Sequence, residues 1–232
     1  MNVERRSGIS ELLKDAGPIS FDIDGVIVFS VEKALEKTNK KLKANYKLTD
    51  IDEPYAMQGW MKADPTIKEP IREDFELWHS ESVLAHASIV PGADIVCRLM
   101  AKLNHEHYFI TSRPAFVKPF THYWFEHGIP WVKPQQILMQ KEGQEVSSDF
   151  KTDRIKEMGI TFHFEDTLEH AVKIVERTKA TVIVVRHKWT DRYAELRPEN
   201  RNPRILIPDK KGTSLFLSFE TLLNHLRFVA QC

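Results

Sequence analysis

The stretch Ile19-Ser20-Phe21-Asp22-Ile23-Asp24-Gly25 joins a short apolar run to two aspartates and a glycine. Its β-branched and aromatic residues predict a buried β-strand. Residues i and i+2 of a strand point the same way, so Asp22 and Asp24 should converge at its end, where Gly25 permits a tight turn. Two carboxylates this close repel each other, and a hard divalent cation, Mg²⁺ above all, would relieve the repulsion. Taken alone, the stretch is also compatible with an ordinary acidic turn.

Further runs of β-branched and apolar residues predict additional strands at 108–112, 160–166, 181–185 and, more weakly, 204–208. Helix-period patterns lie between or after them, at 93–104, 119–127, 153–158, 167–178 and 219–229. Near-continuous apolar strands that alternate with helices are typical of a parallel sheet covered on both faces. The sequence therefore predicts an α/β fold with a doubly wound parallel sheet.

One segment, 29–88, breaks this alternation because it contains helical patterns, clearest at 31–42 and 69–84, and no convincing strand. An insertion just after the first strand of an α/β domain lies over the carboxyl ends of the strands, where ligands bind. We therefore predict a core domain made of 1–28 and 89–232, with a helical cap, 29–88, over an active site.

Composition narrows the class of protein. The 232 residues carry 33 Lys plus Arg and 33 Asp plus Glu, and zero net charge argues against a dedicated nucleic-acid binder. No apolar run approaches the roughly 20 residues of a membrane helix, and the first residues lack the apolar segment of a signal peptide. Two cysteines exclude a disulfide framework or a four-thiolate zinc site. We expect a cytoplasmic protein without a membrane or nucleic-acid partner.

Other polar residues sit at the ends of the predicted core strands or just before one. Thr111 ends the second strand, Lys151 begins the helix before the third, and Glu165 and Asp166 end the third. Each has an ordinary alternative: a helix N-cap or ST-turn for Thr111, a solvated surface position for Lys151, and a turn before a cap at Thr167 for the acidic pair. Together they supply carboxylates, a hydroxyl and a cation at one sheet edge, which suits phosphoryl transfer.

In this order the motifs resemble those of the haloacid dehalogenase-type (HAD) phosphatases. The stretch Asp22-Ile23-Asp24-Gly25-Val26 matches the first motif, Thr111 the second, Lys151 the third and Glu165-Asp166 the fourth. The resemblance covers essentially the whole chain, with a helical cap where the family's first cap class is inserted. It implies a HAD-like Rossmannoid core and a Mg²⁺-dependent hydrolase of small phosphomonoesters.

The resemblance also implies a role for each matched residue. Asp22 would attack phosphorus and form an aspartyl-phosphate, and Asp24 would protonate the leaving oxygen and then deprotonate the attacking water. Mg²⁺ would be held by the Asp22 side chain, the Asp24 backbone carbonyl and Asp166. The phosphoryl oxygens would be bound by Thr111 and Lys151, and Ser112 is a second hydroxyl that could share that role.

The sequence departs from the family pattern in its fourth motif and leaves a choice in its third. The last acidic pair is Glu-Asp rather than two aspartates, so we assign the metal to Asp166 and place Glu165 behind it. Lys133 and Lys141 are rivals for the third motif. We prefer Lys151 because it leads directly into the helix before the last motif.

Within the family, the layout looks most like the deoxyribonucleotidase branch (5′-nucleotidase, type C), on the stretches 91–93, 111–114 and 164–166. A nucleoside or deoxynucleoside monophosphate is therefore the expected substrate; a sugar or other organic phosphate is the alternative. A third possibility is a catalytically silent phosphate-binding module, against which the intact motif residues argue. Two features stay open: the loop 187–193, and whether the large cap side chains form a core or stack on a base. Those cap side chains are Tyr55, Met57, Trp60, Met61, Phe75 and Trp78.

Overall fold

The computed structural model of the chain describes residues 3–53, 55–141, 149–191 and 202–231. Its strands are, in chain order, β1 Ile19–Phe21, β2 Val28–Phe29, β3 Ser88–Ile89, β4 His107–Ile110, β5 Ile137–Leu138, β6 Phe162–Glu165, β7 Thr181–Val184 and β8 Ile205–Leu206. Six of them form one sheet in the order β5-β4-β1-β6-β7-β8, and every pairing in it is parallel. The predicted α/β fold with a doubly wound parallel sheet is confirmed.

The strand order places β1 at the point where the chain reverses direction across the sheet. From β1 the chain moves out to β4 and β5, then returns to β6 on the other side and continues to β7 and β8. In open α/β sheets a crevice forms at such a point, outside the carboxyl ends of the strands. Asp22 directly follows β1 and therefore lies at this crevice.

Helices cover both faces of the sheet. The helices are α1 Val3–Lys14, α2 Ser30–Leu42, α3 Ala56–Ala63, α4 Pro70–Trp78, α5 Glu81–Leu84, α6 Ala93–Lys102, α7 Lys118–Gly128, α8 Phe150–Glu157, α9 Leu168–Arg177 and α10 Leu215–Val229. Alternate residues of β7 show the two-sided burial: Ile183 packs in the cluster with α1, α6, α7 and α10, whereas Val182 and Val184 pack with α8 and α9. This explains why the strands read as nearly continuous apolar runs.

The cap consists of α2 to α5, and its buried side chains form a separate hydrophobic cluster to which Val117 of the core also belongs. In α2, Val31, Ala34, Leu35 and Thr38 are buried, which is the i, i+3, i+4, i+7 spacing of one helix face. The expectation that this segment contains no strand is wrong at its ends, because β2 and β3 form a two-stranded antiparallel ribbon where the cap leaves the core. Strands of two residues are too short to show a period in the sequence.

Two further predictions differ from the structure. The helix predicted over 69–84 is divided into α4 and α5, because Ser80 adopts the extended conformation of an N-cap residue before Glu81. The edge strand β5 was not predicted, again because it has only two residues. Among the described residues, no helix is long and apolar enough to cross a membrane.

Candidate functional site

An acidic cluster forms where β1 and β6 end side by side. The parallel register pairs Phe21 with Phe164, and the ladder continues through the Asp22 N–H, which donates to the Phe164 carbonyl at 2.9 Å. Asp22, Glu165 and Asp166 consequently offer carboxylate oxygens that all lie within 4.8 Å of one another. We call these three residues the acidic cluster.

Gly25 allows the first and last motifs to approach this closely. Its φ of 72° lies in the left-handed region that favours glycine, and a Cβ at this position would overlap the carboxylate of Asp166. The glycine therefore serves both the tight turn after Asp24 and the contact between the two acidic loops.

Lys151 is the lysine that the structure brings to the acidic cluster. It lies in the first turn of α8 and is 3% exposed. Its Nζ lies 2.9 Å from Asp22 Oδ2 and 2.6 Å from Glu165 Oε2. Of its two rivals, Lys133 precedes β5 and so lies at the amino ends of the strands, away from the acidic cluster. Lys141 follows β5 and is exposed.

One lysine does not neutralise three carboxylates. Burial, reinforced by Glu165 and Asp24, raises the pKa of Asp22 to about 7 although Lys151 opposes the shift. Burial and the negative charges of Glu165 and Asp22 likewise raise the pKa of Asp166 well above its usual value. For Glu165, burial is outweighed by Lys151 and by the ring nitrogens of His163 and His170, which lie 3.5 and 3.7 Å from its carboxylate oxygens, and its pKa falls well below the usual range.

This donor set fits a hard divalent cation such as Mg²⁺, which prefers oxygen ligands and would relieve the crowding of negative charge. Glu165 is already engaged, because Oε2 accepts from Lys151 and Oε1 accepts the backbone N–H groups of Asp166 and Thr167 at 3.1 and 3.2 Å. The side chains of Asp22 and Asp166 are thus the better placed ligands, with Glu165 holding Lys151 and the Asp166 loop in position.

Arg113 is a site residue that we did not predict from the sequence. Its Nε and Nη2 each donate to a carboxylate oxygen of Asp24 at 2.7 Å, and its Nη1 donates to Thr121 Oγ1 at 2.9 Å. Burial would raise the pKa of Asp24, but this forked ion pair outweighs it and lowers that pKa. Arg113 belongs to the stretch 111–114 that resembles the deoxyribonucleotidase branch. No spacing rule, however, connects an arginine to an aspartate 89 positions away.

The two predicted hydroxyl groups lie at the end of β4, the strand next to β1. Thr111 is buried, and its Oγ1 accepts the Arg113 backbone N–H at 3.2 Å, which is the ST-turn alternative. That bond does not use the hydroxyl hydrogen, so Thr111 retains a donor for a phosphoryl oxygen. Ser112 lines a small niche together with Lys151, Thr152 and His170.

The large side chains of the cap divide into a packed group and an exposed group. Met57 and Met61 are buried, Trp60 stacks on Tyr46 with ring centroids 3.9 Å apart, and Trp78 packs in the cap core. Tyr55 and Phe75 instead remain 59% and 40% exposed.

The exposed cap rings lie close to the charged site. Burial and the nearby carboxylates of Glu169, Asp166 and Glu165 raise the pKa of the Tyr55 phenol, which places this ring beside the acidic cluster. Phe75 of the cap and Phe116 of the core have ring centroids 6.2 Å apart, with His79 beside both rings. Exposed aromatic rings therefore lie on both the cap and the core.

No protein-family model and no curated protein matches the sequence. Solved structures do match the fold. A HAD hydrolase of family IA, variant 3, from Entamoeba histolytica aligns over 91% of this chain and 99% of its own, with a TM-score of 0.55 and 14% identity. A haloacid dehalogenase-like hydrolase from Streptococcus pneumoniae aligns over 90% and 98%, with a TM-score of 0.55 and 13% identity. A hydrolase from Pseudomonas syringae aligns over 92% and 98%, with a TM-score of 0.53 and 14% identity. The chain therefore shares the fold of these hydrolases along nearly its whole length.

Proposed function

We propose that the chain is a Mg²⁺-dependent phosphomonoester hydrolase that forms an aspartyl-phosphate on Asp22. The observation that carries this proposal is the contact of Asp22 with Lys151 inside the acidic cluster, at the carboxyl edge of a HAD-type sheet. A carboxylate nucleophile needs positive charge around the phosphoryl group that it attacks. Lys151 provides one positive charge, and a Mg²⁺ ion bound by the acidic cluster would provide a second.

Asp22 and Asp166 would hold Mg²⁺ together with the backbone carbonyl of Asp24. When bound, the ion supplies charge neutralisation between the carboxylate nucleophile and the phosphate. Thr111, Ser112 and Lys151 would bind the phosphoryl oxygens as negative charge develops on them.

Asp24 would exchange protons with the leaving oxygen and with water. It protonates the leaving oxygen when Asp22 attacks, and it takes a proton from the water that hydrolyses the aspartyl-phosphate. The forked ion pair with Arg113 keeps Asp24 ionised in the conformation described, which suits the second of these steps. Arg113 thereby also holds the carboxylate in one orientation.

For the substrate we propose a nucleoside or deoxynucleoside monophosphate. The exposed rings of Tyr55, Phe75 and Phe116 support this choice, because a flat base can stack on such rings. A sugar phosphate, which carries no aromatic base, would gain less from these rings.

Phosphate release from nucleoside monophosphates, deoxynucleoside monophosphates, sugar phosphates and an aryl phosphate tests both parts of the proposal. Each substrate is assayed with Mg²⁺, with a chelator, with Asp22→Asn, and with Asp153→Asn as a matched control, since Asp153 is exposed on the same helix as Lys151. We expect Mg²⁺-dependent turnover that only Asp22→Asn abolishes. Undiminished turnover in Asp22→Asn would refute the nucleophile, and a preference for sugar phosphates would refute the nucleotide substrate.

A trapping experiment tests the covalent step separately. Beryllofluoride, an analogue of a phosphoryl group on a carboxylate, should bind only when Mg²⁺ and Asp22 are both present. Equal binding to Asp22→Asn and to the wild-type chain would contradict the aspartyl-phosphate.

A further inference from the structure

The loop after β7 reaches both of the acidic loops. His187 Nε2 donates to the Gly25 carbonyl at 2.7 Å, in the turn that follows Asp24. Trp189 Nε1 donates to the Asp166 carbonyl at 2.9 Å. One short segment thus holds the backbone on either side of the site, through two side chains that do not themselves enter the acidic cluster.

Hydrogen bonds within the loop and to its neighbours hold its backbone in place. Thr190 Oγ1 accepts the His187 N–H at 3.0 Å and donates to the His187 carbonyl at 2.8 Å, which closes a tight turn. Before the turn, the buried Arg186 binds Asp191 and the carbonyls of Pro208 and Asp209. The end of the predicted loop, from residue 192, lies outside the described residues.

The hydrogen-bond partners of His187 determine which ring nitrogen carries the proton. Nε2 faces a carbonyl and must donate, so Nδ1 accepts from the Thr213 hydroxyl at 3.1 Å. Burial lowers the pKa of His187 to about 4, so the ring stays neutral at physiological pH.

The cap supports the same loop from the other side. The Trp189 ring stacks on His187 with centroids 4.1 Å apart, His187 lies 6.0 Å from the ring of Phe29, and Trp189 packs against the cap core. Lys188 Nζ binds the Thr49 carbonyl in the cap. Core and cap together therefore fix where the two N–H donors point.

We propose that His187 and Trp189 are positioning residues that hold the Gly25 and Asp166 backbone so that the carboxylates of the acidic cluster converge on Mg²⁺. The proposal rests on the proposed function. The indole N–H can only donate, so Trp189→Phe keeps an aromatic side chain at this position but leaves the Asp166 carbonyl without this donor. Losing such an outer support of a metal ligand typically weakens metal affinity by about 10- to 100-fold.

Mg²⁺ affinity without substrate, measured by titration calorimetry with MgCl₂ as the ligand, tests the proposal. Trp60→Phe is the matched control, because Trp60 stacks on Tyr46 within the cap, with ring centroids 3.9 Å apart. We expect Trp189→Phe to weaken Mg²⁺ binding by about 10-fold, Trp60→Phe to leave it unchanged, and the two variants to melt within a few degrees of each other in chelator. Equal Mg²⁺ affinity in Trp189→Phe and the wild-type chain would overturn the proposal.

A second variant keeps the test decisive if Trp189→Phe fails to fold. Thr213→Val removes the hydroxyl that binds the His187 ring at 3.1 Å and acts on the site through that ring, so it should weaken Mg²⁺ affinity by a smaller factor. Unchanged affinity would again overturn the proposal. A wild-type chain that binds Mg²⁺ without releasing phosphate would refute the proposed function alone. A wild-type chain that binds no Mg²⁺ would refute both.

Discussion

Replacing Asp22, the proposed nucleophile, should make the metal-free chain more stable while abolishing turnover. Asp22→Asn substitutes a neutral side chain of the same shape into a site where ionisation is unfavourable. The free-energy penalty on the wild-type carboxylate follows from its pKa, which is raised from 3.8 to about 7. At 1.36 kcal/mol for each pKa unit, the penalty reaches at most about 4 kcal/mol.

The pH dependence of this effect has a definite sign. Between pH 3.8 and about 7 the folded chain keeps a proton on Asp22 that the unfolded chain releases. The stability of the wild-type chain therefore falls as the pH rises through that window. Above about pH 7, Asp22 causes no further change in stability. Asp22→Asn does not lose stability in this way, so the difference in free energy of unfolding between the variant and the wild-type chain should grow from pH 4 to pH 7 and then level off. Lys151 also lies 2.6 Å from Glu165, so the variant should not leave this buried cation without a partner.

Thermal unfolding in chelator at pH 5 and pH 8 measures the effect, with Asp153→Asn as the control. If the lost contact with Lys151 cancels half of the gain, about 2 kcal/mol remains, which corresponds to a rise of roughly 4–8 °C in Tm at pH 8. Saturating Mg²⁺ should narrow the gap, because it stabilises the wild-type site more than the variant. A lower Tm for Asp22→Asn in chelator at pH 8, or a gap that does not change with pH, would refute the reasoning.

Three further predictions concern the same site. Gly25→Ala should abolish Mg²⁺ binding in calorimetry, because the added Cβ would overlap the Asp166 carboxylate. The control is Gly159→Ala, where φ is 60° but the space around the glycine is open; it should cost only ~1–2 kcal/mol of stability and leave Mg²⁺ binding intact. Arg113→Gln should lower kcat by up to about 100-fold and move the acidic limb of the pH–rate profile to higher pH, because the pKa of Asp24 rises without its partner; an unmoved profile would contradict this role. Mg²⁺ affinity should fall as the pH drops from 8 to 6, with proton release on binding that calorimetry in two buffers detects, because the raised carboxyl pKa values make protons compete with the ion.

Much of the fold could be predicted from local patterns. Burial on both faces gives a strand such as β7 an unbroken apolar run, and the helices between the strands show their own period. The same locality limits the prediction: β5 and the β2–β3 ribbon owe their existence to partners far away along the chain, so their two-residue strands carry no pattern.

Residues of the candidate site could be predicted where reactive side chains stand directly at the end of a strand. Asp22 and Asp24 are two residues apart on one strand, and Glu165 and Asp166 end another, so parallel pairing alone suffices to bring them to one edge. Lys151 could be placed near that edge by its position before β6, although its contact with Asp22 depends on how α8 packs.

The sequence by itself determined the α/β class of the sheet and the acidic residues that follow its strands, because these depend on residues close together in the chain. Only the tertiary structure decided that Arg113 binds Asp24, that Trp189 binds the Asp166 backbone, and which cap rings stay exposed. Those contacts join segments that the packing of separate helices and loops brings together, and no spacing along the chain encodes that packing.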